Sequence, residues 1–383
     1  MNQVVSQPQT GLLRRDGEHA RHEGLLVPPM RLAHRSLLVL AQAAAASAAK
    51  RLRLMTYNVH AWRDGVHVDN LERLIALVNE VQPDVLCLNE VLHPFAAPPP
   101  EHPYWEEVRS RHGHGLDPPE GSQPCSTAPE AYLNRFSSAT GLPHLAYVAA
   151  SETGSFFGAF PFGNAILSRH PLRDVQHRIL QVSTADLTLG GQARTEADLE
   201  PRAALSARVE LPGGGTLGVC STHLDHKSEE LRERQVSEAM ELCAAAFKGD
   251  PHVLCGDLNT FGRSCMPPSA WEAVCAYYSS RGWPAPPEES LVLRRLWAGG
   301  YTDAYESWCR SCAEAAAAGS MPPPPPFPPL TCWSDKPFFR LDYVLLSRAS
   351  DSAHGRRVRA SGHRTIESPA SDHFPVIVDL EVD

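Results

Sequence analysis

Residues 253–261 read VLCGDLNTF, an apolar run that ends in a Gly-Asp-x-Asn sequence. A short apolar run that ends in glycine is typical of a buried strand that leads into a tight loop. Asp257 and Asn259, two positions apart, then project from that loop to one side. A carboxylate and a carboxamide in this arrangement suit a phosphoryl group or an attacking water held beside a hard cation. Because Asp and Asn after Gly are also ordinary turn residues, the loop alone does not establish a site.

Other short motifs with polar side chains flank this loop. In chain order they are TYN (56–58), NEV (89–91), THLDH (222–226), LDYV (341–344) and SDHFPV (371–376). Between the first two motifs, apolar residues recur every three or four positions over 70–81, which predicts a helix. Short apolar runs at 52–57 and 85–88 predict a strand before this helix and another after it. Parallel neighbouring strands end on the same side of a sheet, so we expect Asn58 and Glu90 at one edge.

The rest of the chain gives a mixed pattern of strands and helices. The triple glycine at 213–215 predicts a hairpin between strands that carry Arg202 and His223. Ser228, followed by two glutamates, predicts a helix start, and residues 267–287 read as irregular. Two closing strands are predicted over 341–346 and 375–380.

Composition narrows the class of protein. With 43% hydrophobic residues the chain can bury a large core, and the formal net charge of −9 disfavours a broad basic surface for duplex nucleic acid. No apolar run reaches the ~20 residues of a membrane span. The scattered cysteines fit buried side chains in a reducing compartment, which predicts an intracellular, most simply cytoplasmic, protein.

Domain organisation follows from three biased segments. Residues 1–50 read as a tail, either disordered or an organellar targeting segment, and 51–383 as one domain. Insertions are predicted at about 94–143, which is rich in Pro, His and Gly, and at 313–330, whose proline run favours an exposed polyproline II loop. A proline-motif-binding partner is the functional interpretation of the second insertion, and a tolerated loop is the structural one.

The six motifs, in this order, resemble those of the endonuclease/exonuclease/phosphatase superfamily, and the resemblance covers about residues 52–381. It implies a deoxyribonuclease I-like α/β fold, a four-layer α/β sandwich of two packed mixed β-sheets flanked by helices, with the site at one rim. It also implies a divalent-metal-dependent hydrolase that cleaves a phosphate ester, most simply a phosphodiester, by in-line attack of an activated water. The expected cofactor is Mg²⁺, with Mn²⁺ as the alternative.

Roles for individual residues follow from their chemistry together with this resemblance. Asn58, Glu90 and Asp372 are the expected metal ligands, since hard cations prefer oxygen donors. The expected catalytic residues, which hold the water, the phosphate and the leaving oxygen, are His223, Asp257, Asn259, Asp342 and His373. Within this set the resemblance pairs Asp342 with His373, which then serves as general base or as an imidazolium facing the phosphate. Asn164 and Arg202 are expected phosphate contacts, with structural roles as the alternative.

Two departures from the family pattern leave the substrate open. His60 stands where apurinic-site endonucleases carry an acidic residue, and Asn89 stands where Gln is commoner. Nucleic acid and a phospholipid or small phosphate ester therefore both remain as substrate classes. The alternative function is a catalytically silent scaffold on the same fold, which would recruit partners through its proline-rich loop. Such a protein would be expected to have lost Glu90, Asp257 or His373, and all three are present.

Overall fold

The computed structural model describes residues 50–66, 68–93, 131–151, 161–181, 188–189, 192–193, 201–226, 228–282, 285–317, 323–348 and 357–383. The predicted tail, apart from Lys50, and most of the predicted insertion at 94–143 lie outside these residues. Lys50 itself begins the first strand.

Two six-stranded sheets form the centre of the domain. The strands of the first sheet are β1 (Lys50–Asn58), β2 (Val85–Leu92), β3 (His144–Ser151), β4 (Phe162–Ser168), β13 (Val358–Thr365) and β14 (Val376–Val382). The strands of the second are β5 (Leu172–Leu180), β8 (Arg202–Glu210), β9 (Thr216–Thr222), β10 (His252–Asp257), β11 (Tyr301–Asp303) and β12 (Asp342–Ser347). A short separate hairpin joins β6 (Thr188–Leu189) to β7 (Gln192–Ala193).

Strand order places the functional motifs at one rim. The first sheet runs β13-β14-β1-β2-β4-β3 and the second β11-β12-β10-β9-β8-β5. The pairs β1–β2 and β9–β10 are parallel, and the other pairs within these two sheets are antiparallel. Asn58 lies opposite Asn89 in the parallel register, which confirms that Asn58 and Glu90 reach the same edge.

Helices flank the two sheets. They are α1 (Leu71–Val81), α2 (Tyr132–Thr140), α3 (Glu229–Phe247), α4 (Pro268–Ser280), α5 (Leu291–Ala298) and α6 (Ala304–Ala317). One apolar cluster fills the space between the sheets, a second joins the first sheet to α1 and α2, and a third joins the second sheet to α3 and α5. The predicted four-layer α/β sandwich of mixed sheets is therefore confirmed.

Local sequence explains where the helices begin and end. The apolar face of α1 is buried, and the helix stops where Gln82 adopts a left-handed conformation before Pro83. Ser228 caps α3 as predicted, because its hydroxyl accepts a hydrogen bond from the Leu231 backbone N–H at 3.2 Å. The predicted hairpin at 213–215 joins β8 to β9.

Three segments differ from their predicted structure. Residues 132–140, predicted as part of a surface insertion, form α2, whose Tyr132, Leu133 and Phe136 are buried. Residues 267–287 were predicted to be irregular, but they contain α4. The apolar side chains of α4 occur all round the helix, so its sequence lacks the hydrophobic period that indicates an amphipathic helix. The predicted insertion at 313–330 overlaps the end of α6, and its later part contacts the domain, with Pro328 buried.

The helices and the cysteines agree with the composition of the chain. None of the helices in the described part of the chain is long and apolar enough to cross a membrane. The cysteines among the described residues are free and mostly buried, as expected for small core side chains rather than a disulfide framework.

Candidate active site

A cleft of about 320 Å³ opens at the rim where β1, β2 and β10 end and β12 begins. Polar and charged residues line one side of it, namely His60, Glu90, Arg202, His223, His226, Asp257, Asn259, Asp372 and His373. Aromatic residues line much of the rest, namely Phe162, Phe261, Tyr277, Tyr278, Trp333 and Phe339. Seven of the ten residues predicted to form the site thus line one cavity, and Asn58, Asn164 and Asp342 lie behind it.

The Gly-Asp-x-Asn loop is shaped by its glycine. Gly256 has a φ of +133°, and a Cβ at this position would collide with the Thr222 carbonyl oxygen and lie 2.9 Å from Asn89 Oδ1. Only glycine therefore allows β10 to pass so close to β9 and β2. The backbone N–H of Asn259 donates to Asp257 Oδ1 at 2.9 Å, which fixes the carboxylate at the end of β10.

Replacement of Gly256 by Ala should lower the free energy of unfolding by about 3 kcal/mol or more, because the new methyl group has no space and the backbone conformation is one that only glycine adopts readily. Urea denaturation measures this loss. Gly262→Ala is the matched control, since a Cβ there meets only ordinary contacts at 3.6 Å and beyond. Equal stability of both variants would mean that the loop does not require glycine at 256.

Two carboxylates, those of the buried Asp257 and the half-buried Glu90, share the amide of Asn58. Asn58 Nδ2 donates to Glu90 Oε1 at 2.9 Å and to Asp257 Oδ2 at 3.0 Å. Glu90 lies at a bulge in β2 and has a φ of +56°, which turns its side chain into the cleft. Burial raises the pKa of Glu90, and it raises the pKa of Asp257 to about 7. Two neighbouring carboxylates with raised pKa values favour a bound cation.

Asp342 and His373 form the predicted pair. Asp342 Oδ2 lies 2.8 Å from His373 Nδ1, and the other imidazole nitrogen, Nε2, lies 3.7 Å from Asp257 Oδ2. Burial alone would lower the pKa of His373, but the negative charges of the Asp342 and Asp257 carboxylates raise it well above its ordinary value. The ring is therefore held as an imidazolium whose Nε2–H points toward the cleft.

Arg202 and His223 form a second pair, opposite the first. Arg202 Nη1 lies 2.9 Å from His223 Nδ1, and its other terminal nitrogen lies 3.1 Å from His226 Nδ1. Burial and the adjacent Arg202 charge lower the pKa of His223 well below its ordinary value, so the ring is neutral. Donors face both ring nitrogens, because Nδ1 lies beside Arg202 and Nε2 lies 3.0 Å from Asn259 Nδ2. His223 Nε2 also lies 3.5 Å from Asp257 Oδ2.

Asp372 lines the same cleft and lies beside His60. Asp372 Oδ1 is 3.8 Å from His60 Nδ1. Burial alone would raise the pKa of Asp372, but His60 and His373 hold it below its ordinary value. The His60 backbone N–H donates to Asn58 Oδ1 at 3.0 Å, so this turn also orients the amide between the two central carboxylates.

Asn89 and Asn164 lie behind the cleft and connect the two sheets. Asn89 Oδ1 accepts from the Asp257 backbone N–H at 2.9 Å, and its Nδ2 donates to Asn164 Oδ1 at 2.9 Å and to the Thr222 carbonyl at 3.2 Å. Asn164 Nδ2 donates to the Ala203 carbonyl at 2.7 Å. Of the two residues predicted to contact phosphate, Arg202 therefore lines the cleft, whereas Asn164 is engaged within the protein.

Replacement of Asn89 by Ala should cost about 3 kcal/mol of stability, because the Asp257 N–H and the Thr222 carbonyl would each lose a buried hydrogen-bond partner. Chemical denaturation gives the value directly. Asn79→Ala serves as the control, because Asn79 is an exposed asparagine of α1 whose Nδ2 donates to the Ala139 carbonyl at 3.2 Å. A similarly small loss in both variants would argue against a structural role for Asn89.

The donor set fits a divalent cation. Ligand atoms of Glu90, His223 and Asp257 lie within 4.8 Å of one another, as do those of Asp257, Asp342 and His373. Glu90 and Asp257 supply carboxylate oxygens to the first group, which matches the preference of Mg²⁺ for oxygen ligands. Asp372, an expected ligand, is in neither group, although it lines the same cleft.

Several residues of the cleft were not predicted from the sequence. His60 was noted only as a departure from the family pattern, yet it contacts Asp372 and Asn58. His226 lies in the THLDH motif, so that motif could have indicated it. The aromatic residues at 277 and 278 carry no sequence signal, because they reach the cleft only through the packing of α4.

Comparison with known proteins agrees with this architecture. A solved structure of an endonuclease/exonuclease/phosphatase from Beutenbergia cavernae has a TM-score of 0.52 and 23% identity, over 87% of this chain and 72% of that chain. One from Bacteroides vulgatus has a TM-score of 0.51 and 14% identity, over 87% and 99% respectively. No curated protein sequence is significantly similar to this chain. At these identities the two structures establish the fold alone.

A model of the Endonuclease/Exonuclease/phosphatase family matches residues 55–373, which is most of the chain. The matched span runs from β1 to His373 and so includes all ten residues that the sequence indicated for the site. Members of this family are generally divalent-metal-dependent phosphoester hydrolases. The chain belongs to the endonuclease/exonuclease/phosphatase family.

Proposed function

We propose that this protein is a Mg²⁺-dependent hydrolase of phosphodiesters. The observation that carries the proposal is the meeting, in one buried cleft, of the carboxylates Glu90 and Asp257 with the Asp342–His373 pair. Phosphodiester cleavage requires an activated water, neutralisation of the phosphate oxygens and a donor for the leaving oxygen. Each requirement has a candidate side chain in the cleft.

Asp257 is the candidate general base. A base works best when its pKa is near the operating pH, and Asp257 has a pKa of about 7. In this scheme Asp257 takes a proton from water as the water oxygen bonds to phosphorus. The bond from phosphorus to the leaving oxygen breaks on the opposite side, and the leaving oxygen gains a proton. Asn259 keeps the Asp257 carboxylate in position through its backbone N–H.

Two imidazoles are candidates for contacts with the phosphate. His373, held as an imidazolium by Asp342, would place a charged donor near Asp257 and against a non-bridging oxygen. His223 is neutral and lies beside Asp257, where its ring would contact the leaving oxygen or a second phosphate oxygen. Arg202 would hold the His223 ring in place and add positive charge behind it.

Glu90 and Asn58 are the candidate metal ligands, with the Asp257 carboxylate beside them. A bound Mg²⁺, or Mn²⁺ in its place, supplies charge that polarises the phosphate and stabilises the developing negative charge. We propose Asp372 as a further ligand, or as a carboxylate that orients water, from its position beside His60 in the same cleft. Asn164 is proposed as a residue that positions Asn89 rather than one that binds phosphate.

A scaffold function has no comparable support. The described part of the proline-rich segment contacts the domain, since the Tyr305 hydroxyl donates to the Pro325 carbonyl and Pro328 is buried. No feature of these described residues favours a proline-motif partner, whereas the proposed catalytic residues are all present and adjacent.

The proposal is tested by incubating the purified chain with Mg²⁺, with Mn²⁺ or with EDTA and a panel of phosphate esters. The panel holds a dinucleotide, single-stranded and duplex DNA, RNA, sphingomyelin and an inositol polyphosphate. We expect metal-dependent cleavage of a phosphodiester that EDTA abolishes, because the carboxylates alone cannot neutralise the phosphate. Metal-independent cleavage, or none by a well-folded protein, would contradict the proposal.

A further inference from the structure

A group of aromatic side chains forms part of the cleft lining. It consists of Phe261 and Phe339, which are buried, and Tyr277 and Tyr278, which are half-buried, and is called here the aromatic wall. The Phe261 and Phe339 ring centroids are 5.1 Å apart, and Tyr277 lies edge-on to Phe339 at 5.8 Å. Tyr278 lies edge-on to Phe261 at 6.2 Å. The rings therefore hold one another in fixed orientations.

Helix α4 provides the two tyrosines. Val274, Tyr277 and Tyr278 are spaced i, i+3, i+4 and so share one helix face, and Val274 is fully buried in the apolar cluster beneath it. This packing fixes the helix, and the tyrosines continue the same face into the cleft. The aromatic wall is thus a preformed surface next to Asp257 and His373, which line the same cavity.

The lining distinguishes between classes of substrate. Apart from Cys332 and Leu341, the apolar residues lining the cleft are aromatic, whereas a site for an acyl chain would be expected to offer aliphatic side chains. Among the described residues lining the cleft, Arg202 is the only arginine or lysine, and the chain carries a net charge of −9. A long nucleic acid needs many such phosphate contacts, so these features favour a small ligand. The cleft volume of about 320 Å³ is at the lower end for small-molecule sites.

We propose that the aromatic wall binds the nucleobase of a small phosphodiester, about the size of a dinucleotide, and so selects the substrate. This inference rests on the proposed hydrolase function for the scissile phosphate. Aromatic side chains stack with any base because every base has a π-face, so the wall distinguishes a base-bearing ester from an acyl or simple alkyl ester. Tyr278 is the residue to test, because Tyr277 already packs against the Arg281 guanidinium at 5.3 Å.

Binding measurements test the wall without any turnover. We expect calorimetry in Mg²⁺ to show that thymidine 5′-monophosphate binds at least about fivefold more tightly than 1,2-dideoxyribose 5-phosphate, in which hydrogen replaces the base. Tyr278→Leu should reduce this ratio toward one. Trp271→Leu is the matched control, because Trp271 lies on the same helix and contacts Phe261 but does not line the cleft, and it should keep the ratio. Equal affinity of the wild-type protein for both ligands would overturn the proposal.

Cleavage of a matched pair of diesters separates this inference from the proposed function. The pair is thymidylyl-thymidine and the same diester with both bases replaced by hydrogen, and lysophosphatidylcholine is the acyl-bearing comparison. Preferential cleavage of thymidylyl-thymidine, with the preference lost in Tyr278→Leu, supports both proposals. Equal cleavage of the pair, or faster cleavage of lysophosphatidylcholine, leaves the hydrolase intact and overturns the base-binding wall. Absence of all cleavage contradicts the hydrolase, while the binding ratio still decides on the wall.

Discussion

Glu90→Gln is expected to lower phosphodiesterase activity by about a thousandfold, a loss of about 4 kcal/mol of transition-state stabilisation. The amide keeps the size of the side chain and can still contact Asn58, but it removes one of the two carboxylates that share the Asn58 amide. Charge rather than shape is therefore what changes. Steady-state kinetics at saturating Mg²⁺ measure the loss.

A thermal melt gives a readout of Glu90 that does not depend on activity. A cation that binds only the folded chain stabilises it by about 2.7 kcal/mol at a hundred times its dissociation constant, so Mg²⁺ should raise the melting temperature of the wild-type protein. We expect the Glu90→Gln variant to lose most of this increase. Burial raises the pKa of Glu90, so the charged carboxylate destabilises the metal-free fold above that pKa. Without metal, the melting temperature of the neutral Glu90→Gln variant should therefore be at least that of the wild-type protein. Glu80→Gln, an exposed substitution on α1, is the control. An unchanged response to Mg²⁺ in the Glu90 variant would exclude Glu90 as a ligand.

The parts of the site that the sequence predicted are those that local rules control. Asn58 and Glu90 follow strands that the pattern indicated, and the parallel register of β1 and β2 then brings them to one edge. Gly256 has a backbone conformation that other residues rarely adopt. A glycine at the end of an apolar run therefore indicated the loop that carries Asp257 and Asn259.

The parts that were missed depend on contacts between distant segments. Asn89 bonds to Asn164, Thr222 and Asp257, and nothing near Asn89 in the chain indicates these partners. Asn164 was expected at the phosphate. Because β4 is buried along its whole length, the Asn164 side chain forms hydrogen bonds within the protein. Helix α4 lacked a clear period because its apolar residues face both the domain and the cleft.

Asp342→Asn should lower kcat by about 10²- to 10⁴-fold, the range associated with loss of a positioned proton donor or acceptor. Asp342 is almost completely buried, and its Oδ2 is 2.8 Å from His373 Nδ1, so it both orients the ring and stabilises its positive charge. An asparagine of the same shape can still accept a hydrogen bond but carries no charge. Rates at saturating substrate measure the change.

The charge on His373 supplies a second readout of the same substitution. The pKa of His373 is raised in the fold, so its protonated form contributes stability below its unfolded pKa, and this contribution disappears as the pH rises through the folded pKa. Removal of the Asp342 charge takes away one cause of the elevation. We therefore expect NMR titration of the metal-free variant to give a lower His373 pKa, and urea melts to show a smaller stability gain on acidification. Asp335→Asn, an exposed substitution outside the cleft lining, should change neither quantity. If kcat and the His373 titration are the same in Asp342→Asn and wild type, the pair is structural and His373 acts without it.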